Sequence, residues 1–517
     1  MTLAAIKDRS LLWIALILFI IAKLPHLHYA FYWDESWVYA PAIYLMYAHG
    51  PSIMPDAIPV DYSRGHPLLF HAACAAWMNL FGKSHVSMHC FALFIAVLLV
   101  IAVYEIVLRL FNARAAILSA ALLLINNYFF AESSFLLTDI SLALFALLSI
   151  YYYIKEKHFL TGLFLTLLFY TKESGIVICA VLGIDILLSF FLKKITPKKA
   201  IAKSLSLVAP VLIMLAFFIV QKKINGWYLY PGHISAINLD PGNTLADLQD
   251  SLSTIFYKEH IYWCYILAGM LFTIAVVKQK KWRSLWAVAY ALFFFASVLI
   301  FSTRDAVFYL FLAVSVAVLS VFFIKPLSFL NTQQSRFIKL IAAFCLFYIL
   351  FCCVNFYETR YLIPALFFIS VILVGIGTER ILTLHFKKLF YPVLITIVIA
   401  GCWNLSIHGA EMDAYTRMDA QQDIVNYFEQ NNFYNKHIAC KSYFQFQHLA
   451  DPKTGFLHSE KAFKYVTEEA QPNSELFIFD NLEPIIPGMS QEEKNNTLQL
   501  IHRFSKGDEW VEVYKRK

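Results

Sequence analysis

The sequence predicts a polytopic α-helical membrane protein of about 13 transmembrane helices, with a small extracytoplasmic α/β domain at its C-terminus. Three observations lead there. Of the 517 residues, 60% are hydrophobic and only 15% are charged, against about 25% charged in soluble domains. Apolar runs of roughly 17–25 residues, long enough to cross a hydrocarbon core of about 30 Å, recur nearly end to end. Past residue 410 the pattern changes: residues 411–517 hold 12 Lys and Arg against 17 Asp and Glu, which leaves the preceding 410 residues with a net charge of +12. A basic membrane body with a mildly acidic tail gives no reason to expect a nucleic-acid partner.

The expected crossings are 11–30, 87–108, 115–131, 138–154, 158–170, 174–192, 203–220, 260–277, 284–302, 306–324, 338–355, 361–378 and 389–407. The first run is followed by Lys23, Pro25, His26 and His28 without a small-residue cleavage site, so it reads as a retained helix and not as a signal peptide. Residues 66–82, HPLLFHAACAAWMNLFG, are apolar too. They are drawn along the outer surface or as a re-entrant helix, because a full crossing there would reverse every later loop. With the N-terminus inside, the inner connectors hold 21 Lys and Arg and the outer loops of the membrane part hold 8, the bias the positive-inside rule requires. The membrane domain is then 1–410. Its outer face receives a first loop (31–86), a second long loop (221–259) and the tail domain (411–517).

In the tail, Ile424, Val425 and Phe428 are spaced as on a helix, while KHIACKSY, ELFIFDNLE and EWVEVYKRK read as short strands. The nine cysteines form no CxxC pair and mostly lie inside apolar runs. They read as small core hydrophobes, with no disulfide or metal framework.

Ionisable groups at membrane depth cost several kcal/mol and are usually paired or functional. Here six segments bring them to one outer level. FYWDESW carries Asp34 and Glu35, DYSRGHP carries Arg64 and His66, and LLTDISL carries Asp139. YTKESG adds Lys172 and Glu173, STRDAVFY adds Arg304 and Asp305, and ETRYLIP adds Glu358, Arg360 and Tyr361. Any one of these reads equally well as a solvated helix end, or as half of a salt bridge, and the aromatic residues around them as an interfacial belt. As a set they suit a lipid-linked phosphate. Arginine forks match phosphate oxygens, and a nearby carboxylate can deprotonate an acceptor hydroxyl. A sugar on a polyprenyl phosphate would present its anomeric carbon at this depth, with phosphate as leaving group stabilised by Arg or Lys.

The order of these motifs resembles the GT-C superfamily. It comprises an acidic pair after the first span, GHP opening a helix that ends in LFG, TD at the outer end of a span, TK at the next outer turn, and RYLIP late in the chain. More narrowly the chain looks like family 39 glycosyltransferases, the protein O-mannosyltransferases and the lipid A aminoarabinose transferase. The likeness is strongest over 31–180, moderate over 300–365 and absent from the tail.

The resemblance implies Asp34 as base or metal-organising acid, Glu35 as its partner, and Asp139 as a second catalytic acid. It also implies His66 beside the phosphate and Arg360 holding it. Arg64, Lys172, Arg304 and Tyr361 complete the expected donor-phosphate set. Gly65 stands where the aminoarabinose enzyme has a metal-binding glutamate, which leaves His233 of WYLYPGH as the candidate ligand for a possible divalent metal.

The reading that follows is an inverting transferase. It would move one sugar from a polyprenyl-phosphate donor to a lipid, protein or polysaccharide acceptor on the outer side of a membrane, and a bacterial inner membrane fits the absence of eukaryotic sorting signals. Two alternatives stay open. One is a polymerase or ligase of lipid-linked oligosaccharides. The other is a polyprenyl-lipid transporter or flippase, which would carry midplane charges and internal repeats.

Overall fold

The chain is built around one helix, Asp139–Ile154, which is apolar on all sides and buried on nearly all of them. A helix without a polar face belongs inside a bundle, and this one packs against the helices His85–Leu110, His158–Thr171 and Thr332–Val354. The structure, a computed structural model, describes residues 3–255, 330–355, 358–369, 375–376, 379, 388, 390–407, 413–440, 443–459, 461–481, 484–507 and 509–517. The spans expected at 260–277, 284–302 and 306–324 lie outside the described residues, as do Arg304 and parts of the spans expected at 361–378 and 389–407.

Among the described residues, five stretches are long and apolar enough to cross a membrane: Arg9–His28, His85–Leu110, Glu173–Phe191, Pro197–Asn225 and Thr332–Val354. Shorter apolar helices stand beside them, among them Leu69–Phe81, Ala113–Leu124 and His158–Thr171. On the Pro197–Asn225 helix, Ile201, Leu205, Val208, Leu212, Leu215 and Ile219 are exposed. Their three- and four-residue spacing forms one apolar stripe, the surface a helix presents to lipid.

Local chemistry sets the helix boundaries. The run expected as one span at 115–131 is broken, because the Asn126 side chain accepts from the Phe129 amide at 3.0 Å and starts a new helix, Asn127–Glu132. Asn112 caps the helix before it in the same way. The Thr332–Val354 helix begins earlier than expected because Asn331 and Gln334 form a reciprocal capping box. In the first long loop, Ala40–His49 is helical and packs against Leu69–Phe81.

The tail holds a five-stranded sheet: β1 (His437–Cys440), β2 (Tyr465–Thr467), β3 (Leu476–Asp480), β4 (Leu498–Lys506) and β5 (Glu509–Arg516), in the order β2-β1-β3-β5-β4. β1 runs parallel to β2 and β3, and β5 is antiparallel to β3 and β4. The three strands read from the sequence are β1, β3 and β5, whose apolar runs fill the centre. β2 and β4 escaped notice because both are edge strands, β2 only three residues long and β4 mostly exposed.

The tail rests on the stretch that leads into Asp34. Phe31 N–H donates to Thr454 O at 2.8 Å. The Tyr29 hydroxyl donates to Asp419 at 2.9 Å, and Arg417 donates to the Tyr32 hydroxyl at 2.9 Å. Buried Lys23 donates to Phe130 O and to the Tyr415 hydroxyl, both at 2.8 Å.

Candidate active site

Asp34 and Glu35 point to different worlds. Trp33 takes a left-handed conformation (φ 50°), which costs an ordinary residue roughly 1–2 kcal/mol, and a π-helical turn over Glu35–Tyr39 follows. Such turns recur at functional sites. Here the turn sends Asp34 to an ion pair with Arg360 and Glu35 into the core.

Glu35 is 1% exposed. It accepts from the amides of Leu136 (2.6 Å) and Tyr32 (3.0 Å) and meets His89 Nε2 at 3.2 Å. The sequence reading grouped it with the catalytic acids. In the structure its oxygens are occupied by protein donors, and it ties the Asp34 turn to the loop before Asp139.

Asp139 opens the central helix, and Lys172 stands in extended backbone at the end of the neighbouring one. Antiparallel packing of those two helices brings them together, with Lys172 Nζ 3.1 Å from Asp139 Oδ1. Arg360 arrives on a 3₁₀ turn, Thr359–Leu362, just beyond the Thr332–Val354 helix. Tyr361 joins the two ion pairs: Lys172 Nζ lies 3.9 Å from its ring centroid, and Arg360 donates to its hydroxyl at 3.4 Å. The phenol of Tyr39, which the sequence did not single out, is within electrostatic reach of Asp34, Arg360, Asp139 and Lys172 alike. Five expected residues therefore form one cluster.

Arg64 and His66 lie at its edge. The Arg64 guanidinium covers the Trp37 ring at 5.2 Å. His66 Nδ1 meets Glu173 at 2.9 Å, and its ring is 4.5 Å from that of His233. One ligand atom each from His66, Glu173 and His233 lies within 4.8 Å of the others. Two histidines and a carboxylate are a donor set that holds zinc-like cations with a coordination position left open. Burial lowers the His233 imidazole to about 4, which keeps it in the neutral form a metal needs.

Gly65 itself offers this trio no carboxylate. It sits at φ 72°, and a Cβ there would come within 2.7 Å of the Trp227 ring. A side chain there would have to displace the Trp227 ring and adopt a strained backbone, and Glu173 brings a carboxylate from another helix end. The sequence displayed Glu173 in YTKESG, but nothing in its spacing ties it to His233, 60 residues away by the numbering of the chain.

Residues 65–218 match the family model described as dolichyl-phosphate-mannose-protein mannosyltransferase. That segment includes His66, Asp139, Lys172 and Glu173 and excludes Asp34, His233 and Arg360. No curated protein matches the chain. Among solved structures, ArnT from Cupriavidus metallidurans bound to undecaprenyl phosphate is similar over 97% of this chain and 98% of its own, with a TM-score of 0.50 at 10% identity. The archaeal oligosaccharyltransferase AglB from Archaeoglobus fulgidus, in complex with an inhibitory peptide and a dolichol-phosphate, aligns over 92% of this chain and 69% of its own, with a TM-score of 0.47 at 10% identity. The chain is an integral membrane protein with a fold similar to that of ArnT, and its segment 65–218 is similar to the mannosyltransferase family.

Proposed function

We propose that the protein moves a single sugar from a polyprenyl-phosphate donor to a hydroxyl acceptor, on the side of the membrane that receives the first loop and the tail, with inversion at the anomeric carbon. The observation that supports it most is the meeting of Asp34–Arg360 and Asp139–Lys172 at Tyr361. Two carboxylates and two cations around one point support a reading in which one carboxylate acts as base. The undecaprenyl phosphate held by the ArnT structure and the family description of the matched segment agree with such a donor.

In this reading Asp34 takes the proton of the acceptor hydroxyl as its oxygen bonds to the anomeric carbon. The bond from that carbon to the phosphate oxygen breaks, and its electron pair stays with the phosphate. Arg360 and Lys172 oppose the charge that develops there, in a partly buried setting where charge–charge terms are stronger than in water. Arg360 exchanges part of its contact with Asp34 for the phosphate, which frees the carboxylate to act as base. Asp139 holds Lys172 in place, and Tyr361 fixes both cations. Glu35 is a positioning residue for the turn that carries Asp34.

His66, Glu173 and His233 would hold a divalent cation beside the phosphate site. Bound there, it would add positive charge toward the leaving group. Arg64 lies close enough to the same site to attract the phosphate. The nature of the tail, which contacts the residues just before Asp34, fits a part in shaping the acceptor side.

The test is transfer by the purified protein from short-chain polyprenyl-phosphate sugars to a hydroxyl acceptor or to water. Consumption of donor by wild type, lost in Asp34→Asn while donor binding persists, is the expected result. A protein that neither binds nor consumes any such donor would sink the reading.

A further inference from the structure

Next to the charged cluster lies a cleft of about 20 Å³, lined among others by Tyr39, Ser63, His66, His71, Thr138 and Lys172. A space of that size takes one water-sized group and not a sugar ring. Two of its lining residues have no role in the chemistry above. His71 is 3% exposed and stacks on Tyr39 at 5.2 Å between ring centroids with an interplanar angle of 8°. Neither of its nitrogens has a hydrogen-bond partner. Thr138 is 4% exposed, and although it precedes the central helix its hydroxyl caps nothing and is equally unpartnered. Buried polar atoms without partners are rare in folded chains and call for an explanation.

The chemistry of the cleft narrows what would satisfy them. An imidazole in this setting is kept uncharged by burial, so it offers one donor and one acceptor nitrogen, and threonine offers one of each on a single oxygen. A hydroxyl group donates and accepts in the same way. A phosphate oxygen only accepts, and an ammonium only donates. No carboxylate lines the cleft among the described residues, and its cation is Lys172, a poor surrounding for a positively charged substituent.

We propose that His71 and Thr138 are specificity-determining residues that hold one hydroxyl of the transferred sugar, and that the donor is an uncharged hydroxylated sugar in preference to an amino sugar. The inference rests on the transfer reading above. It adds which part of the donor faces which side chains.

The experiment uses the full chain and polyprenyl-phosphate mannose and glucose, with the monodeoxy analogues of each and an amino-substituted analogue. Two variants are compared with wild type: Thr138→Val, which keeps the shape of the side chain, and His71→Phe, which keeps a ring against Tyr39. Each should lower kcat/KM for the preferred parent donor by about 10- to 100-fold. The one deoxy analogue that lacks the held hydroxyl should be slow with wild type and no slower with either variant. Every other analogue should show the full penalty. The amino analogue should be a poor donor for wild type.

Equal losses on every analogue would assign the two residues a structural role and overturn the proposal, as would an amino analogue used as well as the parent. If His71→Phe fails to fold, Thr138→Val gives the same readout. Wild type that turns over donors without any such coupling refutes this inference alone. Wild type that consumes no donor at all removes the transfer reading, and this one with it.

Discussion

Two clusters of paired charge occupy the two ends of the same central helix, Asp139–Ile154, roughly 21 Å apart at 1.5 Å per residue. At one end are Asp34, Arg360, Asp139, Lys172 and Tyr361. At the other, Arg336 pairs with Asp185, Tyr153 donates to Asp185 at 2.6 Å, and Arg336 donates to the Tyr153 hydroxyl at 3.3 Å. Lys203 lies 4.3 Å from the Tyr153 ring centroid and 3.7 Å from Glu156, which also takes Lys199 at 3.0 Å. Residue types, pairing and burial are alike. The difference is what surrounds them. The second group is carried almost wholly on helices, with Tyr153, Asp185, Lys203 and Arg336 each on a different one, whereas the first draws Asp34 and Arg360 from loops and turns and borders a cleft. Paired charge alone therefore does not tell the two ends apart.

This comparison can be broken at several points. The largest effect expected is on Asp34. Asp34→Asn should lower the single-turnover transfer rate about 10²–10⁴-fold, while Asp185→Asn should leave it within about twofold. Equal losses in the two would erase the distinction between the ends of the bundle. Next come the cations. Lys172→Met, or Arg360→Lys with its loss of the guanidinium fork, should slow the chemical step roughly 10²–10³-fold. Rapid quench under saturating donor measures it, and a change confined to KM would count against charge stabilisation.

A smaller change is expected for the metal candidates. Glu173→Gln and His233→Ala should each weaken divalent-metal binding by about 10–100-fold, read by mass spectrometry of the protein after dialysis against zinc. Metal-free wild type would leave the trio as a hydrogen-bonded corner. The last two effects concern stability. Glu35→Gln should lower unfolding free energy by about 1–3 kcal/mol, since a buried acceptor of two amides loses its charge. Its thermal midpoint should fall more than its transfer rate. Arg336→Met should behave similarly, by about 1–3 kcal/mol, because Asp185 is left partly buried without its partner. A loss of transfer in a stable Arg336→Met protein would contradict the reading of that end as structural.

Much of the bundle was legible because lipid-crossing helices are written as uninterrupted apolar runs. The errors fall where a single polar side chain redirects the backbone, as Asn126 does inside an otherwise apolar stretch. Of the site, the charges were legible because each one interrupts such a run. Their partners were not. Asp34 and Arg360 are 326 positions apart, and only folding shows that they pair. The inward direction of Glu35 was not legible, because adjacency in the chain says nothing about direction when the backbone passes through a left-handed residue and a π-helical turn. The cleft itself was not legible: His71 on an apolar helix and Thr138, the first residue of the TD motif, look like ordinary core residues until the space beside them is seen.

The contacts between the tail and residues 29–32 carry a practical consequence for anyone who would rebuild this protein. A tail clamped to the segment that aims Asp34 cannot be exchanged like a separate cartridge. Chimeras that splice another C-terminal domain after residue 410 would have to bring along matching partners for Tyr29, Phe31 and Tyr32, or regain them by compensating changes in that short stretch.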